Sequence, residues 1–80
     1  MSTITLYSRQ GCHLCEEAER IIRDLLGAEG GAAHDLDVID IDTDPALRDR
    51  YTVRVPVVAV DGREIAQYQV DPASLAAALR

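Results

Sequence analysis

Residues 3–15 read TITLYSRQGCHLC, and this stretch contains both cysteines of an 80-residue chain. Thr3 to Tyr7 alternates polar and apolar side chains, which predicts a short β-strand. The next four residues, SRQG, end that strand in a polar turn. Cys12 and Cys15 then follow with two residues between them, at the point where a helix is predicted to begin.

A helix is predicted from Cys12 to Gly27. Apolar side chains recur there at helical spacing, and charged side chains occupy the opposite face. The apolar set comprises Leu14, Ala18, Ile21, Ile22, Leu25 and Leu26. We expect Gly27 to end the helix, because glycine readily adopts the backbone conformation that follows a last helical turn.

The other elements are predicted from branched apolar runs and from two Asp-Pro pairs. The predicted strands are Leu36–Ile41, Val57–Val60 and Glu64–Tyr68. Helices are predicted to begin at Asp44-Pro45 and Asp71-Pro72, because a capping carboxylate precedes a proline that needs no N–H partner there. Asp61-Gly62 suits the positive φ values of a two-residue hairpin turn. Gly30–Ala33 is predicted to be a loop.

The predicted element order is β-α-β-α-β-β-α, in a single domain over residues 1–80. The first two strands of such a βαβ unit run parallel, and the last two strands form an antiparallel hairpin. The sequence therefore predicts an α/β fold with a four-stranded mixed sheet and helices on both faces.

Composition excludes several classes of partner. The formal charge of -6 is opposite to the basic footprint that phosphate contacts require, so we expect no nucleic acid. No apolar run approaches the roughly 20 residues that cross a bilayer, so we expect no membrane partner. The N-terminal sequence lacks the pattern of a signal peptide, which predicts a cytoplasmic location. The acidic run of Asp40, Asp42 and Asp44 is predicted to be solvated charge and a helix cap.

The two cysteines are predicted to exchange disulfides. At the helix N-terminus the Cys12 sulfur faces unpaired backbone N–H groups and the positive end of the helix dipole, which favour thiolate over thiol. Cys12 is therefore the predicted nucleophile, and Cys15 the resolving thiol that attacks a mixed disulfide formed at Cys12. Arg9 and a protonated His13 would lower the Cys12 pKa below the ordinary value of about 8.5, whereas neighbouring glutamates oppose them.

Other roles for the cysteine pair stay open. A Cys-x-x-Cys pair is also half of a zinc site, and a buried cysteine is often a small hydrophobic residue. Because His34 is the only distant histidine, a closed zinc site would need acidic ligands or a second chain. A binding module could instead use Cys12 to hold an iron–sulfur cluster or another soft metal between two chains. No metal ligand set is predicted within one chain, and His13 is equally well explained as an exposed bystander.

Residues 7–15, then Asp40-Ile41-Asp42, and Arg54-Val55-Pro56 before a strand, together resemble a glutaredoxin-like protein of the thioredoxin superfamily. The resemblance implies the thioredoxin fold and a thiol–disulfide oxidoreductase with a role in electron transport and cell redox homeostasis. The implied substrates are protein disulfides or glutathione mixed disulfides. The resemblance implies no bound cofactor beyond the Cys12–Cys15 disulfide, with glutathione a candidate reductant or substrate, and we expect a monomer.

The resemblance also implies substrate-binding residues. Val55-Pro56 would be a cis peptide beside the cysteines, with the backbone N–H and C=O of Val55 free to pair with an extended substrate. Arg9 stands where glutaredoxins carry a basic residue near the thiolate and the glutathione carboxylate. With His13, these residues form the predicted substrate site.

Two departures from the glutaredoxin pattern bear on substrate choice. Glutaredoxins usually carry Pro-Tyr or Pro-Phe between the cysteines, whereas this chain has His13-Leu14. They also carry Gly-Gly and then Asp before the last helix to hold the γ-glutamyl end of glutathione, whereas residues 66–70 here read AQYQV. The first departure removes a rigid proline and an aromatic contact, and the second removes the motif that holds the γ-glutamyl end of glutathione.

Overall fold

In a computed structural model of the chain, residues 2–28 and 34–79 are described. The elements are β1 (Ser2–Ser8), α1 (His13–Ala28), β2 (His34–Asp40), a 3-10 turn (Ile41–Thr43), α2 (Pro45–Tyr51), β3 (Val57–Val60), β4 (Arg63–Gln67) and α3 (Pro72–Ala78). The predicted order β-α-β-α-β-β-α is confirmed.

The four strands form one mixed sheet in the order β2-β1-β3-β4. The central strand β1 runs parallel to β2 and antiparallel to β3, and β3 pairs antiparallel with β4. The hairpin turn between β3 and β4 has φ values of 52° at Asp61 and 86° at Gly62, as two-residue turns of this kind require. The mixed sheet predicted from the sequence is therefore confirmed.

Helices cover both faces of the sheet. One face carries α1 and α3, and its buried cluster comprises Ile4, Leu6, Ala18, Ile22, Val58, Val60, Val70 and Leu75. The other face carries α2, and its buried cluster comprises Ile41, Tyr51 and Val57. Each fully buried Leu, Ile or Val side chain stabilises the fold by about 1.5–3 kcal/mol relative to an exposed one. Within the described residues, no helix has the length and apolar character needed to cross a membrane.

Both Asp-Pro pairs begin helices as predicted. Asp44 accepts a hydrogen bond from the Ala46 N–H at 2.9 Å, and Asp71 accepts one from the Ala73 N–H at 3.1 Å. Each carboxylate satisfies a backbone donor that the first helical turn leaves unpaired.

The predicted C-terminal ends of α1 and β2 are wrong. Helix α1 continues through Gly27 to Ala28, since glycine costs a helix only about 1 kcal/mol and does not by itself end it. Ile41 lies in the 3-10 turn rather than in β2, because the Asp40 side chain accepts the Asp42 N–H at 2.9 Å and turns the chain. The predicted loop at Gly30–Ala33 lies outside the described residues.

Tyr68, predicted as the last residue of a strand, lies just beyond β4 with a φ of 69°. The Gln69 N–H donates to the Gln67 carbonyl at 2.8 Å, so the three residues form a γ-turn. The Tyr68 N–H donates to the Pro56 carbonyl at 2.8 Å, which anchors the turn. A positive φ at a residue other than glycine costs on the order of 1–3 kcal/mol.

We expect Tyr68→Gly to be more stable than Tyr68→Ala by about 1 kcal/mol, because only glycine adopts this φ without strain. Both variants lose the same ring, so the difference between their free energies of unfolding reports the backbone strain at this position. Urea denaturation measures these free energies. Gln67→Gly and Gln67→Ala are the matched control in regular strand, where alanine should be the more stable residue. Equal stability of the two Tyr68 variants would contradict the strain.

Candidate active site

Cys12 and Cys15 are joined by a disulfide, with their Cα atoms 5.2 Å apart. They follow the carboxyl end of β1 and stand at the start of α1. The Cys12 N–H donates to the Arg9 carbonyl at 3.3 Å, and the Cys12 carbonyl accepts the Glu16 N–H at 3.1 Å. Cys12 therefore closes the turn after β1 and is also the N-cap residue of α1.

The Cys12 sulfur accepts a backbone hydrogen bond. The donor is the Cys15 N–H, 3.1 Å from Cys12 Sγ. This is the position from which a serine or aspartate N-cap would accept the same N–H, so the sulfur replaces the usual oxygen. A backbone donor and the positive end of the α1 dipole both stabilise negative charge on the Cys12 sulfur.

The two sulfurs differ in access to solvent. Cys15 lies in the first turn of α1 and is only 1% exposed, whereas Cys12 is partly exposed. An external disulfide can therefore reach Cys12 but not Cys15. This asymmetry fits the predicted roles of nucleophile and resolving thiol, which stay predictions.

Arg9 is engaged by a carboxylate. Its Nε donates to Asp42 Oδ2 at 2.9 Å and its terminal nitrogen donates to Asp42 Oδ1 at 2.8 Å, a bidentate pair. The hydrogen bond from Arg9 holds the pKa of the Asp42 carboxyl below its usual value. Because the carboxyl pKa is lowered, the ion pair is lost only when the pH falls through that lowered pKa. At neutral pH the charge of Arg9 is therefore balanced by the charge of Asp42.

Sequence reasoning missed Asp42, which it treated as solvated charge. The signal that would have found it is the predicted parallel pairing of the first two strands, whose carboxyl ends lie side by side. In the observed register Ser8 pairs with Asp40, so the residues after each strand become neighbours.

The Val55–Pro56 peptide is cis, as the resemblance implies. Tyr7 pairs with Val57 in the antiparallel register of β1 and β3, so the residues before β3 lie beside those after β1. The cis peptide is thereby brought to the same edge of the sheet as the loop that carries Cys12. Pro56 is buried there.

The prediction that the Val55 N–H is free is wrong. This N–H donates to the Tyr51 carbonyl at 3.1 Å and so completes the last turn of α2. Within residues 2–28 and 34–79, no hydrogen bond to the Val55 carbonyl is found.

His13 is the first residue of α1 and is exposed. It lies next to Cys12 in the chain, and no hydrogen bond to its side chain is found among the described residues. Its predicted part in substrate binding stays a prediction.

His34 cannot join the cysteines at a metal. His34 begins β2, and its side chain accepts a hydrogen bond from the N–H of Ser2, the first residue of β1, at 3.2 Å. The cysteines instead follow the last residue of β1. A seven-residue strand separates the two positions by about 20 Å. Among the residues that the structure describes, no group of three or more His, Cys, Asp or Glu side chains converges on a metal-sized site. The alternative that Cys12 holds an iron–sulfur cluster or another soft metal between two chains stays a prediction.

Comparison with known proteins places this geometry in a family. The family model described as glutaredoxin-like domain (DUF836) matches residues 3–80. An uncharacterised protein of Mycobacterium tuberculosis is 33% identical over 73 residues, which cover 85% of this chain and 72% of that protein.

Solved structures give the same result. A structural-genomics target protein from X. campestris superposes with a TM-score of 0.75 and 35% identity, covering 95% of this chain and 93% of that one. A protein from Nitrosomonas europaea gives 0.72 and 33% identity, covering 96% and 89%. A mutant thioredoxin from Halobacterium salinarum, at 0.63 and 23% identity over 92% and 67% of the two chains, shares the fold alone. The chain therefore has the thioredoxin fold and belongs to the glutaredoxin-like domain family (DUF836).

Proposed function

We propose that this protein is a thiol–disulfide oxidoreductase that reduces protein disulfides or glutathione mixed disulfides. The thioredoxin fold with a Cys-x-x-Cys disulfide supports a redox role in general. The observation that carries the specific proposal is the hydrogen bond from the Cys15 N–H to Sγ of Cys12, a partly exposed residue at the N-terminus of α1. That environment stabilises the thiolate needed for attack.

The reaction proceeds in two exchanges. The Cys12 thiolate attacks one sulfur of the substrate disulfide, forms a mixed disulfide, and expels the other sulfur as a thiolate that takes up a proton. Cys15 then loses its proton and attacks the Cys12 sulfur, which releases the second substrate thiol. Two electrons pass from the dithiol to the substrate, and the protein is left with the Cys12–Cys15 disulfide. A thiol reductant, with glutathione a candidate, returns the protein to its dithiol form.

The edge of the sheet beside Cys12 offers a place for the substrate backbone. We place an extended substrate segment against the Val55 carbonyl, with one of its N–H groups donating to that oxygen. We include exposed His13 and the cis peptide at Pro56 in this proposed substrate site. We further propose that the protein acts as a monomer in the cytoplasm, where a reducing environment keeps the dithiol available.

Cys12 of the reduced protein should react with iodoacetamide faster than Cys15. The pH midpoint of its alkylation rate should lie below the free-thiol pKa of about 8.5. The physical reason is that Cys12 alone combines access with the N–H donor and the helix dipole. The measurement is the rate of alkylation of each cysteine against pH, followed by peptide mass spectrometry. Equal rates with an unshifted midpoint would remove the catalytic assignment.

Cys12→Ser should abolish reduction of disulfide substrates, because it removes the attacking sulfur. Cys15→Ser should accumulate a mixed disulfide with a protein substrate and turn over only where an external thiol resolves it. Non-reducing mass spectrometry and an insulin-reduction assay follow the two outcomes. Full activity of Cys15→Ser on protein disulfides, with no trapped species, would refute the resolving role.

Asp42→Asn should lower the alkylation midpoint of Cys12, because the charge of Arg9 then acts uncompensated on the loop that carries the thiolate. Arg9→Gln should raise the midpoint, since it leaves the Asp42 carboxylate unpaired. The pKa of Asp42 is lowered, so the wild-type pair is intact throughout the pH range of the titration.

The control for this experiment is Asp49→Asn, which changes the net charge equally at an exposed position of α2. It should leave the Cys12 midpoint unchanged. If all three variants titrate like the wild type, Arg9 and Asp42 have no electrostatic effect on the thiolate.

A further inference from the structure

A groove of about 240 Å³ lies between α1 and the turn that follows β4. Its walls include Leu14, Ile21, Tyr68 and Val70. Leu14 immediately precedes Cys15 in the chain, so one wall of the groove adjoins the cysteine pair in sequence. A cavity of about 150 Å³ is large enough for a benzene ring, so the groove has room for one large side chain.

Two large apolar side chains on the rim of this groove are exposed. Leu14 is 42% exposed and Tyr68 is 45% exposed. Among the described residues only four large hydrophobic side chains are this exposed, and these two flank the same groove. Exposed apolar surface concentrated in one concave place is typical of a binding site.

Tyr68 holds its ring at the groove in a strained backbone conformation. Its φ of 69° is one that glycine would adopt without strain, yet an aromatic residue stands there and is not buried in the core. Its N–H bonds to the Pro56 carbonyl, next to the Val55 carbonyl proposed for the substrate backbone. This hydrogen bond ties the turn that carries Tyr68 to the residue that follows Val55.

The charge of the groove is negative. Among residues 2–28 and 34–79, Glu17 is the only charged residue that lines it. Arg20 lies 4.0 Å from the Glu17 carboxylate but does not line the groove, and both side chains are largely exposed. This carboxylate favours a cationic neighbour and opposes glutathione, which carries two carboxylates and one ammonium group.

We propose that the groove selects polypeptide disulfides that carry a large apolar residue and a basic residue next to the reactive cysteine. The inference rests on the proposed function, since it names the substrate class of the same site. The apolar side chain fills the space between Leu14 and Tyr68, and the basic residue lies near Glu17.

Two matched peptide disulfides test the selection: the symmetric dimers of acetyl-Ala-Cys-Leu-Arg-amide and of acetyl-Ala-Cys-Ser-Glu-amide. The wild type should reduce the first with a kcat/KM about tenfold or more above that of the second. Tyr68→Gly should reduce this ratio to about threefold or less, and Glu17→Gln should lower it as well. Val38→Thr, which changes an equally exposed apolar residue away from the groove, should leave the ratio unchanged.

A second measurement reads the groove without catalysis. The peptide acetyl-Ala-Ser-Leu-Arg-amide, which has no thiol, is titrated into the oxidised protein and followed by ¹⁵N NMR. The backbone amide resonances of Leu14, Ile21 and Tyr68 should shift. The control peptide acetyl-Ala-Ser-Ser-Glu-amide should leave these resonances unchanged.

The outcomes separate the two proposals. Failure of the wild type to reduce bis(2-hydroxyethyl) disulfide, a small neutral substrate, would overturn the proposed function, while shifts at the groove amides would still support the groove. Reduction of both peptide dimers at equal rates, or of glutathione disulfide faster than the Leu-Arg dimer, would overturn the groove proposal alone. Absence of shifts at those amides would also overturn it.

Discussion

The hydrogen bond from the Cys15 N–H to Cys12 Sγ is the contact on which the site depends. It makes one sulfur both the N-cap of α1 and the exposed end of the disulfide. Capping fixes where α1 begins, and the helix in turn buries Cys15 at 1% exposure against the core. The structural role and the proposed chemical role of Cys12 therefore rest on the same donor.

The central position of β1 explains why two distant segments meet near that sulfur. With β2 parallel on one side and β3 antiparallel on the other, the carboxyl end of β1 lies beside the end of β2 and the start of β3. The first neighbour supplies Asp42 for Arg9, and the second supplies the Val55–Pro56 peptide. A slip of one residue in either register would move these groups to the opposite face of the sheet.

The mixed sheet could be predicted because the element order leaves few ways to connect four strands. The element order itself and the Asp-Pro helix starts could be predicted because each depends on nearby residues. The Cys-x-x-Cys disulfide was predictable for the same reason. The Arg9–Asp42 pair spans 33 residues and depends on strand register, so it could not be read from either residue alone. The Val55 N–H bonds to the last turn of α2. Sequence patterns locate the end of a helix only to within about one or two residues, so this bond could not be predicted. The positive φ of Tyr68 runs against residue preference, so no propensity argument would find it.

The charges around Cys12 separate its reactivity from the recognition of an anionic substrate. The groups that stabilise its thiolate are a backbone N–H and a helix dipole, which remain in place whatever the side chains nearby do. Arg9, the cation nearest in sequence, is neutralised by Asp42, and Glu17 adds a negative charge to the groove that Leu14 lines. A thiol site that relied on a free arginine would attract carboxylates whenever it was reactive. A reactive Cys12 does not require a positively charged surface in this arrangement, so in our proposal the groove decides which disulfide is bound.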